Sequence, residues 1–510
     1  MGAFKQNKYK ENPNPQAKIG FVIFYPFQFY VFKNVYKNIS QEAEFIIDMG
    51  AFFPIKQPEE LLDDIYALLK KNGVFFRILH FEDYYSEAYL KDFFQNFSAL
   101  VLLWNRGCYQ LTCNASKKKI CMQYGGGKDL AAFALWKKNF DLLLAYGKRD
   151  NAILSLLAQS KIVGNPKFDD WFNNNFDNDL ISKVGERLDK SKKTALYLPT
   201  HSDLSSLEDL ADELKLLTKN YNVIIKLHYY SPREEPEKIN KIKEGQLIIL
   251  NDDADLLSLL KISDVVISDN SSAIFDVILA DKPLVTTDFI SDKYLEKDHK
   301  IIKEARRGQI VALTYPGSIE QRIKKEGLII SIKQPSELQK GLEEAIKDDQ
   351  FFKDSRKKIR EDLFSFNDGQ CGRRAAEEII NLMNSKNKTE KPLFFHLTEV
   401  YFGYGASMFE INSSINSQFN REIKEYQKRK RFKSFAAQKF LEGAARKIFN
   451  EGKFGKKKYS YTIFSPLRRM LLYRLLGGKG IKPAFIIFSG AFFTWLGGFY
   501  AATTKYKQRK

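Results

Sequence analysis

From Lys18 to Met383 the chain alternates short aliphatic runs with longer segments whose apolar residues recur every three or four positions. The short runs have the composition of strands buried on both faces, and the longer ones that of amphipathic helices. A first series of strands is predicted at Lys18–Phe24, Glu44–Asp48, Phe75–Leu79, Ala99–Leu103, Lys119–Gln123 and Leu142–Leu144. A helix over Pro58–Asn72 carries Glu59 and Glu60 in its first turn, a face of Leu61, Leu62, Ile65, Leu68 and Leu69, and Gly73 as its stop. A second series opens near Ser191, with strands at Ala195–Leu198, Val223–His228, Leu247–Leu250, Val265–Ile267, Leu284–Thr287 and Leu328–Ile332. Helical periodicity falls at Leu204–Lys219, Leu256–Lys261 and Ala273–Ala280, then at Ser336–Lys347, Phe351–Phe364 and Gly372–Met383.

Strands alternating with helices predict parallel sheets with crossover helices. Two such series, joined near Gly164–Asn178, predict an α/β protein of the GT-B type, two Rossmann-like domains facing a cleft. The expected boundaries are 16–165 and 190–350, then helices over 351–385 that return to the first domain, and a tail over 386–510. A cleft of this kind faces the carboxyl ends of both sheets.

One stretch organises the second series: Ile262 to Phe289, reading ISDVVISDNSSAIFDVILADKPLVTTDF. Its Val-Val-Ile strand runs into Ser268-Asp269-Asn270-Ser271-Ser272 and then a short helix. Such an elbow offers backbone N–H groups, the positive end of a helix dipole and two hydroxyls, which suits a diphosphate. Simple capping by Ser271 and Ser272 is the alternative. Two further elbows end predicted strands, Pro199–Asp203 after Leu198 and His228-Tyr229-Tyr230 after Leu227. They hold two of only five histidines, His201 and His228, which are either satisfied structural groups or carriers of chemistry. In the first series Gly125-Gly126-Gly127-Lys128 follows the Ile120–Met122 strand. Three glycines allow close approach of a ligand, but the run matches neither GxGxxG nor the Walker pattern, so a flexible cleft loop is an equal reading.

The string VVISDNSSAIFDVILADKPLV resembles the signature of the CDP-glycerol glycerophosphotransferase family, the teichoic acid primases and polymerases. LYLPTH (196–201), IIKLH (224–228), VGNPKFD (163–169) and FNDGQCGRRAAEEII (366–380) follow in that family's order, so the resemblance spans about residues 115 to 385. It implies a GT-B transferase with a CDP-activated polyol as donor, the nucleotide lying in the second domain and the acceptor against the first. It carries Ser271, Ser272 and His228 over as donor-phosphate contacts, together with Asp269 and Asn270 of the same elbow. Asp276 is placed near the nucleotide or as a helix partner. Arg373 and Arg374 become phosphate partners or a solvated helix end. The family's Trp-His-Gly, whose histidine is its general base, is matched here by Tyr124-Gly125-Gly126 with no histidine. Tyr229 stands where the family has proline, and Asn270 where it has an aromatic residue. The base is then His201, Asp203 or Asp129, with His228, His201 and Asp203 as the catalytic set.

Composition changes the picture in one place. Arg421 to Lys510 holds 23 Lys and Arg against 4 Asp and Glu, so the +19 net charge of the chain is carried there and the body is balanced. A general nucleic-acid surface is therefore not indicated. Basic helical periodicity with interspersed Phe and Leu suits an anionic membrane surface. Pro483–Thr504 is 22 residues without a charge, long enough for a membrane-inserted or re-entrant segment. Four scattered cysteines (Cys108, Cys113, Cys121, Cys371) with no CxxC make neither a disulfide framework nor a zinc site. The start of the chain shows no apolar leader, and the expected place is the cytoplasmic face of the cell membrane. The reading is a transferase moving glycerol phosphate from a CDP donor to a lipid-linked or cell-surface glycan, with no cofactor and no metal. A nucleotide-sugar glycosyltransferase of the same fold, a relative of the UDP-N-acetylglucosamine 2-epimerases and a non-catalytic membrane adaptor are the alternatives.

Overall fold

The protein is described by a computed structural model. It covers residues 8–385 apart from 53–57, 81–82, 84–85, 105–116, 128, 202–203, 244–245, 252, 270, 289–318, 328 and 348. The chain divides into two units, Met1–Pro392 and Leu393–Lys510, and the description concerns the first. The basic tail and the uncharged Pro483–Thr504 run lie outside the described residues.

Thirteen strands form two wholly parallel sheets among the described residues. The first sheet has seven: β1 (Ile19–Ile23), β2 (Ala43–Asp48), β3 (Phe76–Leu79), β4 (Ala99–Leu102), β5 (Lys118–Met122), β6 (Leu142–Ala145) and β7 (Ser160–Ile162). Their order is β3-β2-β1-β4-β5-β6-β7. The second has β8 (Lys193–Leu198), β9 (Tyr221–Lys226), β10 (Ile248–Leu250), β11 (Val265–Ser268), β12 (Leu284–Thr287) and β13 (Ile330–Ile332), ordered β10-β9-β8-β11-β12-β13. Both orders are doubly wound. Strand order reverses between β1 and β4 in one sheet and between β8 and β11 in the other, and a crevice opens beyond the carboxyl ends at each reversal.

Strands with helices on both faces read as unbroken apolar runs, and β1, β2, β4, β6 and β11 are buried at every residue. Register in the second sheet places Ser268 beside Leu198, so the chains leaving β11 and β8 emerge side by side. The helix expected over Leu204–Lys219 is shorter, Ala211–Leu217. The Ser206 amide and hydroxyl bond to Asp269 and the Ser205 hydroxyl accepts from the Leu207 amide, so this stretch is held by side chains instead of helical bonding.

The Asp349–Leu363 helix packs on the helix that follows the serine elbow. Arg356 and Arg360 both reach Asp281, at 2.9 and 2.7 Å, and the Ser365 amide beyond it donates to the Tyr146 carbonyl at the end of β6. The Cys371–Asn384 helix then lies against Pro26–Ile39, and its Ala375, Ala376, Ile379 and Leu382 join the core of the first half. Both helices thus touch the first domain, the first at Gly147 and Tyr146 through Leu363–Ser365 and the last along Pro26–Ile39.

Candidate functional site

The elbow is built from its buried side outward. The Ser268 hydroxyl donates to the Leu198 carbonyl at 2.9 Å. The Asp269 carboxylate, 2 % exposed, accepts from the Thr200 amide at 2.8 Å, the Ser206 amide at 3.0 Å and the Ser206 hydroxyl at 3.2 Å. Asp269 therefore faces protein donors and locks the β11 exit to the β8 exit; its assignment as a donor contact is corrected to a positioning role. Burial, with the Asp269 charge adding to it, pushes the neighbouring Tyr197 phenol well above its ordinary range. Asn270 lies outside the described residues, as do Asp203 and Lys128.

The two serines that follow differ. The Ser271 hydroxyl accepts from the Ala273 amide at 3.2 Å, so it caps. Ser272 makes no cap bond with its side chain and is only half-buried. Opposite Ser272 stands the glycine run of the first half. A Cβ built on Gly125 would lie 3.3 Å from the Ser272 Cβ and Oγ, and one on Gly126 would lie 2.8 Å from the Phe275 Cβ. Gly127 has φ +73° and faces Phe275 and the Glu320 carboxylate. Gly125 to Gly127 therefore form a seam between the halves, and a Cβ at Gly126 or Gly127 would collide with Phe275.

This seam is held from beneath. The Gln123 amide group donates to Asp150 and to the Gly125 carbonyl, while its oxygen accepts from the Tyr146 amide. Arg149 reaches Asp129 at 2.6 Å and Asp150 at 2.9 Å. Asp129, one of three residues considered as base, is thus engaged by a guanidinium. Asp276, one turn beyond Ser272, pairs with Lys167 of the inter-domain turn at 2.6 Å. Burial pushes the Asp276 carboxyl up and Lys167 pulls it back. This ion pair ties the helix after the elbow to the turn between the halves.

Arg373 and Arg374 take the solvated alternative. Arg373 is exposed and pairs with Glu377, and Arg374 pairs with Asp368. The amides of their turn, Cys371 and Gly372, donate to Asp169 at 2.8 and 2.6 Å, which explains the VGNPKFD and FNDGQCGRR strings as one structural joint.

The two histidines come together. The imidazoles of His201 and His228 stack with centroids 4.4 Å apart, and His201 also lies 4.9 Å from the Tyr230 ring. The His228 Nδ1 accepts from the Tyr230 amide at 3.3 Å, so its proton resides on Nε2. Tyr229 packs on Tyr25 at 4.2 Å and on Phe27 at 5.0 Å, across to the first half. Phe27 meets Trp104 and Tyr124, themselves 4.9 Å apart. The carboxyl ends of β1, β4 and β5 thereby face those of β8 and β9. Sequence reasoning missed Thr200, Ser206, Gln123 and the aromatic residues at strand ends; their position directly after β-runs was the available signal.

Facing switch points in two Rossmann-like halves make this a protein of the GT-B-like α/β class. Residues 155–307 match the model of the family "CDP-Glycerol:Poly(glycerophosphate) glycerophosphotransferase", which contains the elbow, both histidines and VGNPKFD. Over residues 155–307 the match indicates an enzyme of the CDP-glycerol glycerophosphotransferase type. The Tyr124–Gly127 and FNDGQCGRR strings fall outside that match. No curated protein matches the sequence. Solved structures it resembles include the wall teichoic acid polymerase TagF (15% identity, 73% of this chain, 90% of that one, TM-score 0.49). Others are Staphylococcus aureus MnaA with UDP (12%, 73% and 100%, 0.48) and the Neisseria meningitidis UDP-GlcNAc 2-epimerase bound to UDP-GlcNAc (10%, 71% and 99%, 0.47).

Proposed function

We propose that the protein transfers glycerol phosphate, or a related polyol phosphate, from a CDP-activated donor to a hydroxyl of a lipid-linked or cell-surface glycan in the making of a teichoic-acid-like polymer. The observation that carries this is the half-buried Ser272, uncommitted to capping, at the β8/β11 switch point and facing Gly125 of the other half. The donor diphosphate would lie against Ser272 and the elbow backbone. The His228 Nε2–H would donate to one of its oxygens. The acceptor oxygen attacks the β-phosphorus, the anhydride bond breaks, and CMP leaves with the bonding electrons. Most of the acceleration in such a transfer comes from positioning and charge stabilisation.

The acceptor proton needs a base, and the loop that supplies a histidine in the family supplies Gly125 here. We assign this proton to His201, stacked on His228 and partly exposed at the same corner. The tail, residues 421–510, would hold the enzyme at the cytoplasmic face of an anionic membrane, beside its acceptor, and so raise the effective concentration of that acceptor. Among the described residues no helix is long and apolar enough to cross a membrane.

The test is incubation of the full chain with CDP-glycerol, CDP-ribitol and UDP-sugars, with and without glycan acceptors. CMP release from a CDP-polyol, with the polyol phosphate recovered on the acceptor, is the expected result. Release of a nucleoside diphosphate from a UDP-sugar would replace this reading with a glycosyltransferase.

A further inference from the structure

Arg233 is a buried guanidinium, 8 % exposed, for which donor binding gives no role. It lies in the short helix Ser231–Glu234, directly after the His228 turn. One of its amino groups donates to the Tyr229 carbonyl at 2.9 Å, and the other pairs with Asp64 on the Pro58–Lys71 helix of the first half. The turn it grips is the one that fixes the His228 imidazole. There the Tyr230 amide donates to the His228 Nδ1 at 3.3 Å, and the Ser231 amide donates to the His228 carbonyl at 3.0 Å. Tyr229 is held by the first half twice, at its ring by Tyr25 and Phe27 and at its carbonyl through Arg233.

We propose that Arg233 and Asp64 are positioning residues for His228: through the Tyr229 carbonyl, their ion pair keeps the turn in the shape that leaves the His228 proton on Nε2. The proposal rests on the transferase reading, in which that N–H meets a phosphate oxygen, and says what sets it. An ion pair with one half-exposed partner, as Asp64 is, adds little to stability. A guanidinium is costly to bury unless its N–H groups are engaged, and this one engages the His228 turn and the opposite half. Without Asp64 the grip on Tyr229 loosens, the Tyr230 amide leaves Nδ1, and both tautomers of the imidazole become available. In the other tautomer Nε2 carries a lone pair, which repels a phosphate oxygen. The donor-side proton is thus set by the half that lies across from the elbow, and transfer is coupled to apposition of the two halves.

The experiment uses the full chain in detergent, with histidines labelled at both ring nitrogens, no donor present and a pH at which the imidazoles are neutral. Long-range proton–nitrogen correlation then reads the tautomer of each of the five histidines, and His228→Gln identifies the His228 signals. The parent should show the Nε2–H pattern alone at His228. Asp64→Asn and Arg233→Met should show both tautomers, and Asp64→Glu, which keeps a carboxylate on that helix, should return to the parent pattern. In CMP release from CDP-glycerol, Asp64→Asn should lower kcat by up to about a hundredfold, as misplacing a reacting group does, with little change in KM. The proposal is overturned if the parent already shows both tautomers, if Asp64→Asn and Arg233→Met both keep the parent pattern, or if Asp64→Glu restores nothing. Asp64 is the half-exposed partner, so its variants separate lost positioning from a misfolded chain. The tautomer readout needs no nucleotide, so its failure is distinct from a failure of CDP-polyol turnover.

Discussion

The Lys167 ammonium lies 2.6 Å from the Asp276 carboxylate, joining the turn between the two halves to the helix that leaves the serine elbow. Both side chains are largely buried, and burial alone pushes the Asp276 carboxyl up. Lys167→Met removes the group that opposes this. A buried carboxylate without its partner costs about 3 kcal/mol or more at neutral pH. In the variant the folded pKa stands further above the unfolded one, so the folded state binds more protons between the two values. Its stability therefore falls as pH rises through that interval. The melting-temperature deficit relative to the parent is expected to be larger at pH 8 than at pH 5. Equal deficits would mean that Asp276 is not the group left behind.

Asp269 offers a contrasting case, a carboxylate held by amides and a hydroxyl instead of an ammonium. Asp269→Ala leaves the buried Thr200 and Ser206 amides without an acceptor, a loss of about 2–4 kcal/mol. The β8 and β11 exits then separate. Melting temperature and the thermal shift given by CDP-glycerol should fall together. A variant that melts lower yet still responds fully to donor would show that the lock is not needed for the elbow.

Both sheets were legible because strands buried on both faces leave unbroken aliphatic runs, and Val265–Ile267 was the plainest of them. The Leu204–Lys219 stretch has leucines at helical spacing, but its first turns are drawn out of the helix by Asp269 bonding to Ser206. The elbow itself was legible, and the division of labour inside it was not. Asp269, Ser271 and Ser272 are similar in type, and their roles are decided by which neighbours the β8 exit brings within reach. Arg373 and Arg374 read equally as phosphate partners or a solvated helix end from the sequence, and Glu377 and Asp368 answer them locally. The aromatic contact between the halves escaped because Tyr25, Trp104 and Tyr229 come from three distant stretches that only the facing of the two sheets unites.

Gly127 tests the seam. Its φ of +73° is disfavoured for any residue with a Cβ, and that Cβ would strike the Phe275 ring. Gly127→Ala combines backbone strain with overpacking, together about 2–4 kcal/mol. It should lower the melting temperature and weaken the donor. Phe275→Ala in the same chain should recover part of the donor response by making room. No recovery would place the penalty in the backbone alone.

Residues 421–510 carry the chain's whole excess of positive charge. Each basic residue near an anionic surface contributes about 1 kcal/mol, so even a fraction of the 23 suffices for firm attachment. Deletion of 421–510 is expected to move the protein from the membrane pellet to the supernatant while the CDP-glycerol thermal shift is retained. Persistent pelleting would locate the membrane contact elsewhere in the chain.

The two adjacent serines make the most direct test of the donor site, because only one of them is tied to the fold. Ser271 accepts from the Ala273 amide, so Ser271→Ala should cost about 1 kcal/mol in stability, the usual loss of a cap. Ser272 makes no cap bond, so Ser272→Ala should change stability by no more than about 0.5 kcal/mol. Its effect should fall on turnover instead. Removing one preorganised donor to a reacting phosphate lowers kcat by about a hundred- to a thousandfold. Measured side by side, the two variants should therefore separate, one losing mainly stability and the other mainly CMP release. Equal activity in Ser272→Ala and the parent would remove the hydroxyl from the site and shift the diphosphate to the elbow backbone alone.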